Sequence, residues 1–378
     1  MCALRVMVVD DSSTYRHAVR RVLSGIADVE VVATASNGQI ALQKLAFTEV
    51  DVMTLDVDMP LLGGLETLAE LGKLGPLPCD VVMVSGLTSR GAHTTLRALE
   101  LGAYDFVSKP SGGSMAENER HLKNQLLPIL AGLKARQIMR GDRPSHARRP
   151  PAAPSRPVAA QPAAPAHRAR HDVDCETPVV ARAHPVGVVA IGISTGGPAA
   201  LAQVIPKLPA SLAVPIVLVQ HMPPGFTETL AASLDRKSAV RVLEANDGMY
   251  LAAGSVYIAP GGKQMRLVKR AGRLQVEVND APPENNCKPS ADYLFRSVAA
   301  ACGKRALGVI MTGMGHDGVA GLHEMRAVGA YILAQDAATS VVYGMPGEAV
   351  KAGVVDEVLA LDQIPCRIER LLRVWGAR

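Results

Sequence analysis

Between Arg140 and Pro185 the chain holds 9 of its 26 prolines and 4 of its 10 histidines, strung with alanine in runs such as PPAAPSRP and QPAAPA. No apolar periodicity crosses this stretch. Proline removes backbone donors and alanine offers little side chain to bury, so such a segment extends rather than packs. These residues are read as a tether, and the 378-residue chain as two separately folded parts of ordinary domain size. The expected division is 1–125, then a helical extension and linker over 126–185, then 186–378.

Charge follows the same division. The chain carries 40 Lys+Arg against 35 Asp+Glu, a formal +5. Eight of the arginines and four of the acids lie between residues 140 and 185, so the tether holds +4 and everything else only +1. With 4 Phe, 7 Tyr and 1 Trp, the chain lacks the aromatic platforms of a single-strand nucleic-acid binder. It also shows no helix-turn-helix signature, and no nucleic-acid partner is expected. Six scattered cysteines without a CxxC pair form neither a disulfide framework nor a zinc cluster. Val6–Val9 run straight into Asp10-Asp11, which fits no secretory signal. The stretch 183–206 has no charged residue, but its central Gly192-Ile193-Ser194-Thr195-Gly196-Gly197-Pro198 reads as strand, turn and helix rather than a membrane span. A cytoplasmic protein, monomeric, is the expectation.

On both sides of the tether short apolar runs alternate with longer amphipathic ones, the texture of α/β folds with parallel sheets. Five strands are predicted in the first part: 4–9, 30–35, 52–55, 81–85 and 105–107. Five more are predicted in the second: 187–191, 215–219, 255–258, 307–311 and 330–334.

In a parallel sheet the strand C-termini share one edge, where ligands collect. Asp10 and Asp11 close the first predicted strand and Asp56 the third. Three carboxylates there repel one another unless a hard cation such as Mg²⁺ lies between them. Ser85 ends the fourth strand and Lys109 follows the fifth. That hydroxyl and that ammonium suit a phosphoryl group on Asp56. Any one acid after a strand is as well explained as a helix cap, but five such residues at strand ends are not.

VVDDS (Val8–Ser12), LDVDMP (Leu55–Pro60), MVSGLT (Met83–Thr88) and GAYDFVSKP (Gly102–Pro110) together resemble a two-component receiver domain over about residues 1–125. The resemblance implies a flavodoxin-like (βα)5 fold and phosphorylation of Asp56 by a histidine kinase. It implies Mg²⁺ held by Asp10, Asp11, Asp56 and the backbone carbonyl of Asp58. Ser85 and Phe106 become switch residues and Lys109 the phosphate contact.

The second part opens with a strand, GISTGGP, and a helix-like AALAQVIPKL. Two readings fit: a nucleophile elbow, in which G-x-S-x-G exposes Ser194 above the sheet, or a glycine-rich phosphate loop. The phosphate loop wants Lys-Ser/Thr after the glycines, where Pro198-Ala199 stand, so the elbow is favoured, although G-x-S-x-G alone is a weak signal. A serine needs a base and the base an orienting acid. His221 follows the strand 215–219, and Asp317 lies in the glycine-rich MTGMGHDG turn after 307–311. Other candidates carry plainer readings. His316 is either a surface-loop or a pocket-lining histidine, His323 a solvated one, and Asp336 a cap or a cleft residue. Cys287 and Cys302, without a partner at triad-like positions, are read as buried or incidental.

GISTGGP, VQHMPPGFT (Val219–Thr227), YIAPGG (Tyr257–Gly262), MTGMGHDG (Met311–Gly318) and AQDAATSVVYGMP (Ala334–Pro346) resemble the catalytic domain of the chemotaxis protein-glutamate methylesterases, the CheB family. The resemblance covers 187–374 and implies a doubly wound, mostly parallel catalytic domain without a cofactor. Ser194 is then the nucleophile, His221 the general base and Asp317 its orienting acid, with Thr195 and Met314 supporting the oxyanion. Ile193 and His316 depart from the family's usual smaller residues and bear on pocket shape. The implied reaction is demethylation of glutamate γ-methyl esters, and deamidation of glutamines, on membrane chemoreceptors. The protein would meet the membrane only through those receptors. Two other classes compete: a receiver-controlled DNA-binding regulator, which requires a helix-turn-helix or a basic face that the sequence does not offer, and a non-enzymatic binding module whose elbow is only a tight turn.

Overall fold

The computed structural model describes residues 3–140 and 184–376 except 74, 87 and 111. All but the ends of the predicted tether lies outside the described residues. The first part contains β1 (Leu4–Val9), β2 (Val29–Ala35), β3 (Val52–Asp56), β4 (Asp80–Ser85) and β5 (Asp105–Ser108). They form one parallel sheet in the order β2-β1-β3-β4-β5. This is the flavodoxin-like order, with its switch point at β1/β3. β1, β3 and β4 are almost wholly buried, as β-branched and apolar runs covered on both faces should be. Side chains cap the helix starts: Ser12 accepts from Tyr15 N, Asn37 from Ile40 N and Thr88 from Gly91 N.

The helix Met115–Arg140 runs unbroken through residue 125. Leu126, Ile129, Leu130 and Leu133 pack with Leu4, Val6 and Val8 in one core cluster. The expected boundary at residue 125 therefore falls inside a helix whose far half is still packed on the first sheet.

The second part contains β6 (Val188–Ile193), β7 (Ile216–Gln220), β8 (Arg241–Glu244), β9 (Ser255–Ile258), β10 (Gln264–Arg270), β11 (Arg273–Asn279), β12 (Ala306–Ile310), β13 (Tyr331–Gln335) and β14 (Glu357–Leu359). Seven of them make a parallel sheet, β14-β13-β12-β6-β7-β9-β8. β10 and β11 form a separate antiparallel hairpin, turning at Ala271 and Gly272, both with positive φ. The uncharged stretch 183–206 resolves into β6 and the helix Gly197–Val204. No helix among the described residues is long and apolar enough to cross a membrane.

The two parts touch. The helix Ser89–Glu100 packs against the helices Gly197–Val204 and Phe226–Asp235. Phe106 of β5 stacks on Phe226 with ring centroids 4.7 Å apart and planes 10° from parallel. Lys237 and Ser233 bond the Glu100 carboxylate.

Candidate active site and phosphoacceptor site

The chain reverses direction of sheet growth at β6, with β12 on one side and β7 on the other. In open α/β sheets a crevice forms at such a point, beyond the strand C-termini. Ser194 follows β6, His221 follows β7, and Asp317 lies in the turn after β12, so three adjacent strands deliver the three predicted residues to the same edge of the sheet.

The turn after β6 is held by backbone and by a side chain that the sequence did not single out. Ser194 N–H donates to Thr312 O at 2.9 Å, and Gly197 N–H to Ser194 O at 2.8 Å. Buried Gln220 donates from Nε2 to Ser194 O at 2.9 Å. Gly196 adopts φ +75°, and a Cβ on Gly197 would lie 1.8 Å from Gln220 Oε1. Both glycines are thus demanded by the turn, one by conformation and one by close approach. The helix Gly197–Val204 starts immediately after it, as an elbow requires.

His221 Nε2 lies 2.8 Å from Asp317 Oδ2. Asp317 is 2% exposed and accepts four further bonds: from Ser290 Oγ (2.7 Å), Ala291 N (2.6 Å), Asn285 Nδ2 (3.2 Å) and Asp292 N (3.3 Å). Two of these donors are the first amides of the helix Ala291–Cys302, whose positive dipole end favours an anion there. Burial pushes the Asp317 carboxyl up, but His221 and these donors outweigh it and hold it well below the usual range. An ionised carboxylate only accepts, so the facing Nε2 carries a proton; Nδ1 has a free lone pair only in the neutral ring. Burial disfavours the His221 cation, yet the bonds with Asp317 and Cys287 raise its pKa above the ordinary value.

Cys287 corrects the sequence reading: it is half-buried and its Sγ lies 3.7 Å from His221 Nδ1. Among the described residues Ser194 Oγ makes no hydrogen bond to His221. Such bonds often form only in the substrate complex. Met314 is half-buried and lines a cavity of about 630 Å³ with His316, Tyr343 and Arg136. His316 is both exposed and cavity-lining, His323 is exposed, and Asp336 caps the turn to Ser340 by accepting from Thr339 N at 2.9 Å. Thr195 is in hydrogen-bonding contact with Asp105 of the first part, whose carboxyl burial pushes up to about 6.

At the other sheet edge, donor atoms of Asp10, Asp11 and Asp56 lie within 4.8 Å of one another. Asp10 and Asp56 are buried and Asp11 is exposed. Lys109 Nζ sits 2.8 Å from Asp56 Oδ2 and 2.9 Å from Asp10 Oδ2. Asp10 Oδ2 nevertheless makes no hydrogen bond of good geometry. Burial raises the Asp56 pKa to about 6 against the pull of Lys109, and raises that of Asp10 as well. Three carboxylates whose oxygens converge within 4.8 Å fit a hard divalent cation. Ser85 is fully buried at the end of β4. The Asp58 side chain is exposed and stands outside this carboxylate group.

A phosphoacceptor-type sheet joined to an α/β domain with a serine elbow and a His–Asp pair defines a response regulator with an enzymatic output domain. The response regulator receiver family model matches residues 6–117 and the CheB methylesterase family model residues 189–368. The protein-glutamate methylesterase/protein-glutamine glutaminase of Desulfotalea psychrophila is 41% identical over 98% of this chain and 99% of its own length. The Bacillus subtilis protein of the same name is 41% identical over 97% of each. The crystal structure of the Thermotoga maritima CheB methylesterase catalytic domain is 40% identical, covering 50% of this chain and 98% of that one at a TM-score of 0.48. The chain belongs to the CheB family of protein-glutamate methylesterases/protein-glutamine glutaminases.

Proposed function

We propose that the chain hydrolyses glutamate γ-methyl esters on chemoreceptors, releasing methanol, and deamidates receptor glutamines, under control of phosphorylation at Asp56. What supports this reading is the Ser194 elbow at the end of β6, between the strands that carry a His221–Asp317 pair whose acid accepts from five donors. Because Nε2 is committed to Asp317, the proton of Ser194 passes to Nδ1 as the hydroxyl oxygen attacks the ester carbonyl. Protonated His221 then returns the proton to the leaving methanol, or to ammonia for a glutamine. Water attacks the acyl-serine by the same route. Backbone N–H groups near Thr195 and Met314 stabilise the tetrahedral oxyanion, worth about 3–4 kcal/mol per donor in comparable sites.

In the receiver, Asp10, Asp11 and Asp56, with the Asp58 carbonyl, hold Mg²⁺, which when bound offsets carboxylate repulsion and the charge of the incoming phosphoryl group. A histidine kinase supplies that group to Asp56. Lys109 contacts it, and Ser85 answers to it at the end of β4. Phe106 couples the change to the catalytic domain through its stack on Phe226. The receiver extends through the helix Met115–Arg140, which walls the cavity beside Met314. Unphosphorylated, it narrows access to Ser194, and phosphorylation shifts the population toward an open arrangement. The protein acts from the cytoplasm, as a monomer that reaches the membrane through its receptor substrates.

Methanol release from methylated receptor membranes tests the whole. We expect release to rise on adding a small-molecule phosphodonor with Mg²⁺, and to fall to background in Ser194→Ala. Unchanged release from that variant would remove Ser194 from the mechanism.

A further inference from the structure

The turn carrying Cys287 is stiffly built. Glu284 and Cys287 pair as an antiparallel bridge, with Cys287 N–H donating to Glu284 O at 2.7 Å and Glu284 N–H to Cys287 O at 3.1 Å. The two residues between them, Asn285 and Asn286, adopt φ +49° and +60°, the left-handed pair of a tight two-residue hairpin. The Asn285 amide is tied to Asp292 and Asp317, and Arg296 binds the Glu284 carboxylate. The Cys287 sulfur is therefore presented to His221 by fixed backbone.

A tetrahedral zinc ion places its sulfur ligand at about 2.3 Å and its imidazole nitrogen at about 2.0–2.1 Å, which sets the two donors about 3.6 Å apart. Cys287 Sγ and His221 Nδ1 are 3.7 Å apart. Metal-bound histidines usually give their second ring N–H to a carboxylate that fixes the tautomer and the ring. His221 gives Nε2–H to Asp317, and donor atoms of His221, Cys287 and Asp317 all lie within 4.8 Å. Spacing, ring orientation and supporting acid match one half of a zinc site.

We propose that Cys287 Sγ and His221 Nδ1 form a site for a thiophilic divalent cation, Zn²⁺ above all, which caps the base nitrogen and reversibly stops catalysis. The proposal of inhibition rests on His221 Nδ1 being the base; that of binding does not. Two protein donors leave two corners of the tetrahedron to water, so the ion acts as an inhibitor rather than as a structural cofactor. Zn²⁺ and Mg²⁺ are directed to different residues, since thiolate and imidazole select against the harder ion.

The test uses the full-length chain with Co²⁺ as a spectroscopic probe and Zn²⁺ as the inhibitor. Co²⁺ should produce a sulfur-to-cobalt charge-transfer absorption that is lost in Cys287→Ser and weakened at least about tenfold in His221→Gln. Zn²⁺ should inhibit hydrolysis of a chromogenic ester, and Cys287→Ser should need at least about tenfold more Zn²⁺ to halve its own uninhibited rate. A thiolate band that persists in Cys287→Ser, or equal Zn²⁺ sensitivity of the two proteins, overturns the proposal. A chain that binds Co²⁺ through Cys287 but hydrolyses no ester keeps the site and removes the esterase reading.

Discussion

Asp56 shows how burial of one group couples stability to pH. Its folded pKa of about 6 stands above the ordinary 3.8, with burial as the largest cause. The folded state thus holds a proton that the unfolded chain has released, so this group's contribution to stability is fully present below pH 4 and lost as pH rises through 6. The shift corresponds to roughly 3 kcal/mol at neutral pH. In Mg²⁺-free buffer, Asp56→Asn should match the parent near pH 4 and gain up to that amount by pH 7, read from urea unfolding of the receiver. An advantage that shrank as pH rose would mean that Asp56 is not buried against its charge. Asp56 was legible in the sequence because its place at a strand end is a local fact. Asn285 and Ser290 were not, because they reach Asp317 from 32 and 27 residues away.

Among the elements, β6 and its turn carry the tightest constraint. Gln220, the last residue of β7, fills the space where a Gly197 side chain would stand and holds the Ser194 carbonyl from there. Overpacking such a contact typically costs about 1–3 kcal/mol. Gly197→Ala should lose that much stability in chemical denaturation and most of its ester hydrolysis, since Gln220 must move and release the turn. Wild-type turnover in this variant would show the turn to be more pliable than its contacts imply. The G-x-S-x-G spacing announced this element, and predicted strands fell on β6, β7, β9, β12 and β13. The hairpin β10–β11 escaped although its alternating QMRLVKR and RLQVEVN flank an Ala-Gly turn. β8 and β14, at four and three residues, are edge strands whose pairing comes from their neighbours rather than their own composition.

At the scale of the whole molecule, the two parts meet through the helix Ser89–Glu100 and through Phe106 on Phe226. The exposed Lys237–Glu100 pair contributes little, since such pairs are worth about 0–1 kcal/mol. The Phe106–Phe226 stack adds about 0.5–1.5 kcal/mol beyond the apolar area it covers. Phe106→Ala should therefore raise basal methanol release up to about tenfold without a phosphodonor, whereas Glu100→Gln should change it little. Release that fell in the aromatic variant would make the contact an activator. An isolated 186–378 fragment no more active than the unphosphorylated chain would count against inhibition by the receiver altogether.

The excess positive charge of the chain was assigned to the tether by counting alone, and both parallel sheets, the carboxylate pocket and the Ser, His and Asp candidates followed from strand-end positions. Those properties are local or periodic, and sequence carries them directly. Folding decided what depends on contacts between distant residues. It turned His221 so that Nε2 faces Asp317 and Nδ1 faces Cys287, surrounded Asp317 with five donors, and set Phe106 on Phe226. Each is a matching of surfaces from separate elements, and no spacing along a chain encodes how two such surfaces meet.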